Sequence, residues 1–179
     1  MPIEAGYDNT LLHHFGGSVP KVKDYIAGVI ELSRLNFISN NSLPFKVIFK
    51  WSSQINNIGF GTRADDLCKG HDLPLKLHEF INKRKKSTMG NRPLVIFTED
   101  LDSSTVGCAG MERACGPTND GKNLAIVDMY GKDKSPQQRA QDAARILSHE
   151  IGHLVSVHLC LIICTIVVTY STFSAWHET

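Results

Sequence analysis

His149 and His153 stand four positions apart in the run Ser148-His149-Glu150-Ile151-Gly152-His153, with Glu150 between them. On an α-helix, positions i and i+4 lie about 40° apart around the axis, so both imidazoles can reach one metal ion while Glu150 reaches a water held beside it. Zinc lowers the pKa of such a water to about 7, and a carboxylate next to it can take the proton as the hydroxide attacks a peptide carbonyl. The five-residue string also arises by chance on solvated helix faces, so its weight depends on the element that carries it.

That element is well specified. Ser135 suits an N-cap, Pro136 the N1 position where a missing N–H costs nothing, and Gln138 completes a Ser-x-x-Gln capping box. Ala140, Ala143, Ala144, Leu147, Ile151 and Leu154 then recur at three- and four-residue intervals, which predicts one buried stripe. A histidine pair on such a helix is positioned before any metal arrives.

Upstream, helices and strands alternate. Pro20 to about Phe37 reads as a helix with Val22, Tyr25, Ile26, Val29, Ile30 and Leu32 on one face. Phe45, Val47, Phe49 and Trp51 alternate with Lys46 and Lys50, the pattern of a strand with one buried face. A helix is expected over about Leu73 to Lys83, and an interior strand over the apolar run Pro93 to Thr98. Two more strands are expected at about Ser104 to Ala109 and Leu124 to Met129. This alternation indicates an α/β fold with helices packed on a sheet.

With 179 residues, 42% of them hydrophobic, the chain can bury a real core. A net charge of +1 gives no electrostatic case for nucleic acid or an acidic membrane surface. The basic run Lys83-Arg84-Lys85-Lys86 reads as a helix C-terminus favoured by the macrodipole, followed by a solvated loop.

The order of blocks is specific. Phe97-Thr98 is followed by Thr105-Val106-Gly107-Cys108-Ala109-Gly110, then Cys115, then Ala125 to Asp128, then His149-Glu150-x-x-His153. This arrangement resembles the reprolysin (adamalysin) branch of the metzincin zinc endopeptidases, most strongly the secreted forms of arthropods such as ticks, over about Tyr7 to Leu154. The resemblance implies a mixed, mostly parallel sheet with packed helices and a zinc-binding active-site helix. It implies Zn2+ held by His149 and His153, Glu150 as catalytic base, and protein or peptide substrates. It also implies that the strand carrying Gly107, Ala109 and Gly110 is a sheet edge that pairs with an extended substrate, small side chains letting the peptide approach. Small residues at those positions also suit a bulge or turn.

The chain departs from that family after the second histidine. A metzincin continues HExxHxxGxxH, with a glycine at which the chain turns to bring in a third ligand. Here Ser156 stands at the glycine position and Leu159 at that of the histidine, while His158 arrives one residue early. On an unbroken helix His158 points about 180° away from His149, so it is either a third ligand reached by a sharp turn or a polar residue in an apolar segment. The run Leu159 to Val168 is more apolar than anything upstream, and no methionine follows the zinc helix. The Met-containing turn and small C-terminal subdomain of the resembled family have no room after Leu154. Residues 1–154 are thus expected to be a partial catalytic domain of that kind and 155–179 a divergent apolar tail. The tail has the length of a membrane span, but His158 and several hydroxyls weaken that reading. Val155-Ser156 can be encoded by a splice-donor consensus, so translated intron or an alternative isoform fits it better.

Five cysteines leave one unpaired if two disulfides form. By resemblance, Cys115 bridges to a cysteine beyond the zinc helix, a place that Cys160 or Cys164 could take. Asn40-Asn41-Ser42 is a glycosylation sequon in a turn, compatible with the secretion that the resemblance implies, although Met1-Pro2-Ile3-Glu4 is not the start of a signal peptide. The segment before Tyr7 reads as a stub of the family's first strand. Two function classes follow: a zinc endopeptidase, or a catalytically impaired peptidase-like chain with an incomplete zinc site. A membrane-anchored protein is a weaker third.

Overall fold

A computed structural model of the chain describes residues 2–38, 47–51, 93–99, 106–109, 124–129 and 134–155. Its architecture is α/β: a mixed, mostly parallel five-stranded sheet with helices packed on it. The strands are β1 (Pro2–Tyr7), β2 (Ile48–Trp51), β3 (Leu94–Thr98), β4 (Gly107–Ala109) and β5 (Leu124–Asp128), in the spatial order β2-β1-β3-β5-β4. β1 pairs in parallel with both β2 and β3, β3 in parallel with β5, and β4 runs antiparallel along β5 at the sheet's edge. The helices are α1 (Asn9–His14), α2 (Val19–Ser33) and α3 (Pro136–Val155).

The apolar run 94–98 behaves as its composition predicts, for β3 is buried along its whole length, as an interior parallel strand must be. The segment expected to be a stub before Tyr7 is instead a six-residue strand bonded on both sides. Ile3, Ala5 and Tyr7 give it a buried face, and Glu4 is buried on the other. β2 is shorter than the alternation from Phe45 suggests: Val47 is buried, but Trp51 is 39% exposed. Trp51 is on an edge strand, where its ring lies under the Lys23 ammonium at 5.7 Å, a cation–π contact that leaves much of the ring in water.

α2 begins within one residue of the expected start, and its face of Val22, Ile26 and Val29 enters the core. Its continuation towards Phe37 widens into a π-helical turn, Arg34–Ile38. α3 delivers the full expected stripe: Ala143, Ala144, Leu147, Ile151 and Leu154 are buried and Ala140 packs against them. Small alanines in its first half let α2 and α3 approach closely. Where they meet, Ser33 Oγ and Ser148 Oγ share a 2.7 Å hydrogen bond, and Ser148 Oγ also donates to the Ala144 carbonyl at 2.9 Å. A buried pair of hydroxyls satisfied in this way fixes the rotation of α3 about its own axis. Among the described residues no helix is long and apolar enough to cross a membrane. The expected helix at 73–83, the sequon, the tail from 156 onward, Gly110 and His158 lie outside the described residues.

Candidate active site

α3 is held at its start by the predicted capping box. Ser135 Oγ accepts from the Gln138 N–H at 3.2 Å, and Gln138 Oε1 accepts from the Ser135 N–H at 3.0 Å, so the two satisfy each other's orphan donors. From that anchor the helix runs unbroken through His149, Glu150 and His153.

The two imidazoles converge as their spacing predicts. His153 Nε2 and His149 Nε2 lie 2.8 Å apart, with the rings edge to face at a centroid distance of 4.4 Å. Two nitrogens on a tetrahedral zinc, each about 2.0–2.1 Å from it, stand about 3.3 Å apart, so a small side-chain rotation opens this pair to the metal. Burial pushes the His149 pKa down, and the neighbouring His153 pushes it further; burial alone lowers His153. Both rings therefore favour the neutral form that ligates. The donor set fits zinc in type and direction.

Glu150 is 4% exposed, and its Oε2 is buried with no hydrogen-bond partner among the described residues. Loss of hydration pushes its pKa up to about 8. A carboxylate so placed is costly to the fold unless a cation or a proton donor joins it.

β4 brings the edge strand against this carboxylate. A β-carbon at Gly107 would meet Glu150 Oε1 at 2.8 Å, Ile146 Cγ2 at 2.6 Å and the Ile126 carbonyl oxygen at 3.1 Å. This gives a different reason for the glycine from the one the sequence suggested. Its missing side chain makes room for α3. Ala109, two residues along and so on the same face, packs against the core. What β4 can offer a ligand is its backbone: it is bonded to β5 on one side and is the last strand of the described sheet. Val106, just before it, is 53% exposed, and its carbonyl accepts from the Asp128 N–H at 2.9 Å. Cys108 is held in a disulfide whose partner lies outside the described residues, which ties this edge to another part of the chain.

His149, Glu150 and His153 thus come together beside Gly107, and Ala109 lies on the same strand. Among the described residues no group of three or more His, Cys, Asp or Glu side chains could hold a metal ion. Sequence reasoning missed a second polar cluster at the other end of α3. There His14 Nδ1 and Glu99 Oε2 pair at 2.7 Å, and an Arg139 terminal nitrogen lies 3.4 Å from His14 Nε2. Only the phase of α1 and α3 could have hinted at it, because its members are far apart along the chain.

No family model and no curated protein matches this chain. Among solved structures, one chain of "Structure of a chaperone-substrate complex" is similar over 86% of this chain with a TM-score of 0.44 and 13% identity. This chain spans 23% of that chain's length, and the likeness assigns neither fold family nor partner.

Proposed function

We propose that His149, Glu150 and His153 form the core of a zinc-dependent endopeptidase site on a metzincin-like fold of the reprolysin kind. The observation that carries this reading is the convergence of two half-buried, proton-poor imidazoles beside a buried carboxylate on one helix. The mostly parallel sheet with one antiparallel edge strand next to that helix agrees with it.

The histidines contribute the lone pairs that bind the ion. A zinc ion bound there supplies Lewis acidity towards a water and a peptide carbonyl. Glu150 is the proton carrier: it takes a proton from the attacking water and returns it to the leaving amine. Burial raises its pKa to about 8, and a cation held by the histidines would favour the carboxylate form in which it can act as base. The side of β4 away from β5, the edge of the described sheet, would offer main-chain groups to an extended protein or peptide substrate, a mode that reads backbone rather than sequence. Secretion fits the disulfide at Cys108, since such bonds persist in oxidising compartments.

A second reading rests on a specific observation: the described residues supply two histidines, whereas catalytic zinc sites commonly use three protein ligands. The chain as written then binds zinc weakly and turns over little. Metal analysis and casein cleavage by residues 1–179 test both readings. Ser156→Gly combined with Leu159→His restores the HExxHxxGxxH spacing and is expected to gain one tight zinc and chelator-sensitive cleavage. Adding Glu150→Ala should then lower turnover at least ~100-fold with zinc retained. A restored variant that holds zinc but cleaves nothing, or a Glu150→Ala form that cleaves at the parental rate, overturns the proposal. Tight zinc in the unaltered chain that is lost on His158→Ala would instead make His158 the third ligand.

A further inference from the structure

We propose that a crevice at the carboxyl ends of β1, β3 and β5, remote from the zinc helix's histidines, binds a compact zwitterion of about alanine's size.

The position follows from the topology. After β1 the chain runs through α1 and α2 to β2 on one side, then returns to β3 on the other, so the strand order switches between β1 and β3. In open α/β sheets the crevice outside the carboxyl ends of the strands at such a switch is where ligands bind. A cavity of about 130 Å³ lies there. Leu11, Phe15 and Met129 give it apolar walls, and Tyr25, Glu99 and Arg139 supply polar groups. A cavity of about 150 Å³ accommodates benzene, so the space suits a molecule of about six heavy atoms. Pro136 at its rim is thirteen residues before His149 on α3, about 20 Å along the helix.

The chemistry follows from what its polar atoms lack. The Glu99 side chain is 8% exposed, and its Oε2 is taken by His14 Nδ1 at 2.7 Å. Its Oε1 is buried with no hydrogen-bond partner among the described residues, and so is Arg139 Nε. A guanidinium only donates, so where Arg139 meets His14 Nε2 at 3.4 Å that nitrogen accepts, and the ring proton lies on Nδ1 facing Glu99. The His14 ring is thereby committed to its neighbours, leaving one carboxylate oxygen and one guanidinium N–H for a guest. Both charges act on Tyr25, whose pKa burial raises most, with Arg139 lowering it and Glu99 raising it. An anion alone would face Glu99, and a cation alone would face Arg139. An ammonium on Glu99 Oε1 and a carboxylate on Arg139 Nε would satisfy both with charge-assisted hydrogen bonds.

The experiment is saturation-transfer NMR and calorimetry on the full chain with alanine, acetate and methylamine as separate probes, with and without a chelator. Alanine is expected to bind with a Kd on the order of a millimolar, and each singly charged probe at least ~10-fold more weakly. Glu99→Gln and Arg139→Gln should each weaken alanine about 10-fold. Arg139 lies in the first turn of α3, so its variant reports even if Glu99→Gln fails to fold. No alanine binding, which leaves a pocket holding ordered water alone, overturns the proposal. So does acetate or methylamine binding as well as alanine, alanine binding untouched by Arg139→Gln, or binding abolished by the chelator.

Discussion

Two buried carboxylates in this molecule are treated in opposite ways. Asp8, 1% exposed, ends β1 and caps α1: its Oδ1 accepts from the Leu11 N–H at 3.0 Å and the Thr10 hydroxyl at 2.7 Å, its Oδ2 from the Thr98 hydroxyl at 2.6 Å. Thr10 Oγ1 in turn accepts from the Glu99 N–H at 3.1 Å, so the turn after β1 is tied to the end of β3. Glu150, 4% exposed, has a carboxylate oxygen with no such bond among the described residues. Equal burial with unequal satisfaction separates a group that holds the fold from one that the fold holds ready.

The largest effect expected from this contrast is on stability at Asp8. Asp8→Ala removes the acceptors of the Leu11 N–H and of the Thr10 and Thr98 hydroxyls and should cost about 3 kcal/mol, read from urea denaturation. A loss under about 1 kcal/mol would place Asp8 and Glu150 in the same class. Next comes the pH dependence of the metal-free protein. The folded Glu150 pKa, about 8, lies above its ordinary 4.5, so between these values the folded state binds more protons than the unfolded. Stability is therefore fully present below about pH 4.5 and falls as pH rises towards 8, by roughly 2 kcal/mol or more. Glu150→Gln, which has no charge to lose, should remove this fall in melting temperature over that window. An unchanged slope would mean that a partner neutralises the carboxylate.

Gly107→Ala should cost about 1–2 kcal/mol, because the added methyl meets Ile146 and the Ile126 carbonyl as well as the Glu150 oxygen. If Ala is tolerated without loss, the edge strand does not constrain the carboxylate. The smallest effect is at the far end of the same helix, where Ser135→Ala should cost about 1 kcal/mol. It should leave zinc uptake by the spacing-restored variant unchanged, since the cap is far from the histidines.

What was legible in the sequence was local. The capping box, the stripe of α3, the i, i+4 histidines and the apolar run of β3 are each set by residues within a few positions of one another, and each lies where expected. β1 was obscured because Glu4 and Gly6 interrupt its apolar character, and because a strand buried on both faces loses the alternation that would mark it. The packing reason for Gly107 was not legible because only the approach of α3 to β4 reveals what its missing side chain makes room for. The Glu99, His14 and Arg139 cluster joins three elements, and no periodicity links its members.

The placement of β1 also sets an order of events during synthesis. The first of the described strands to be synthesised is not an edge but lies between β2 and β3, and Asp8 waits for Thr98, 90 residues later. At about 5–20 residues per second that wait is roughly 5 to 18 seconds, during which one flank of the strand has no partner to pair with. The nascent chain therefore offers an open β-edge to chaperones or to its own kind well before the histidine pair exists. In the folded protein the same geometry makes β1 a point of leverage on the sheet. Loss of β1 would split the described sheet between β2 and β3 instead of trimming its margin.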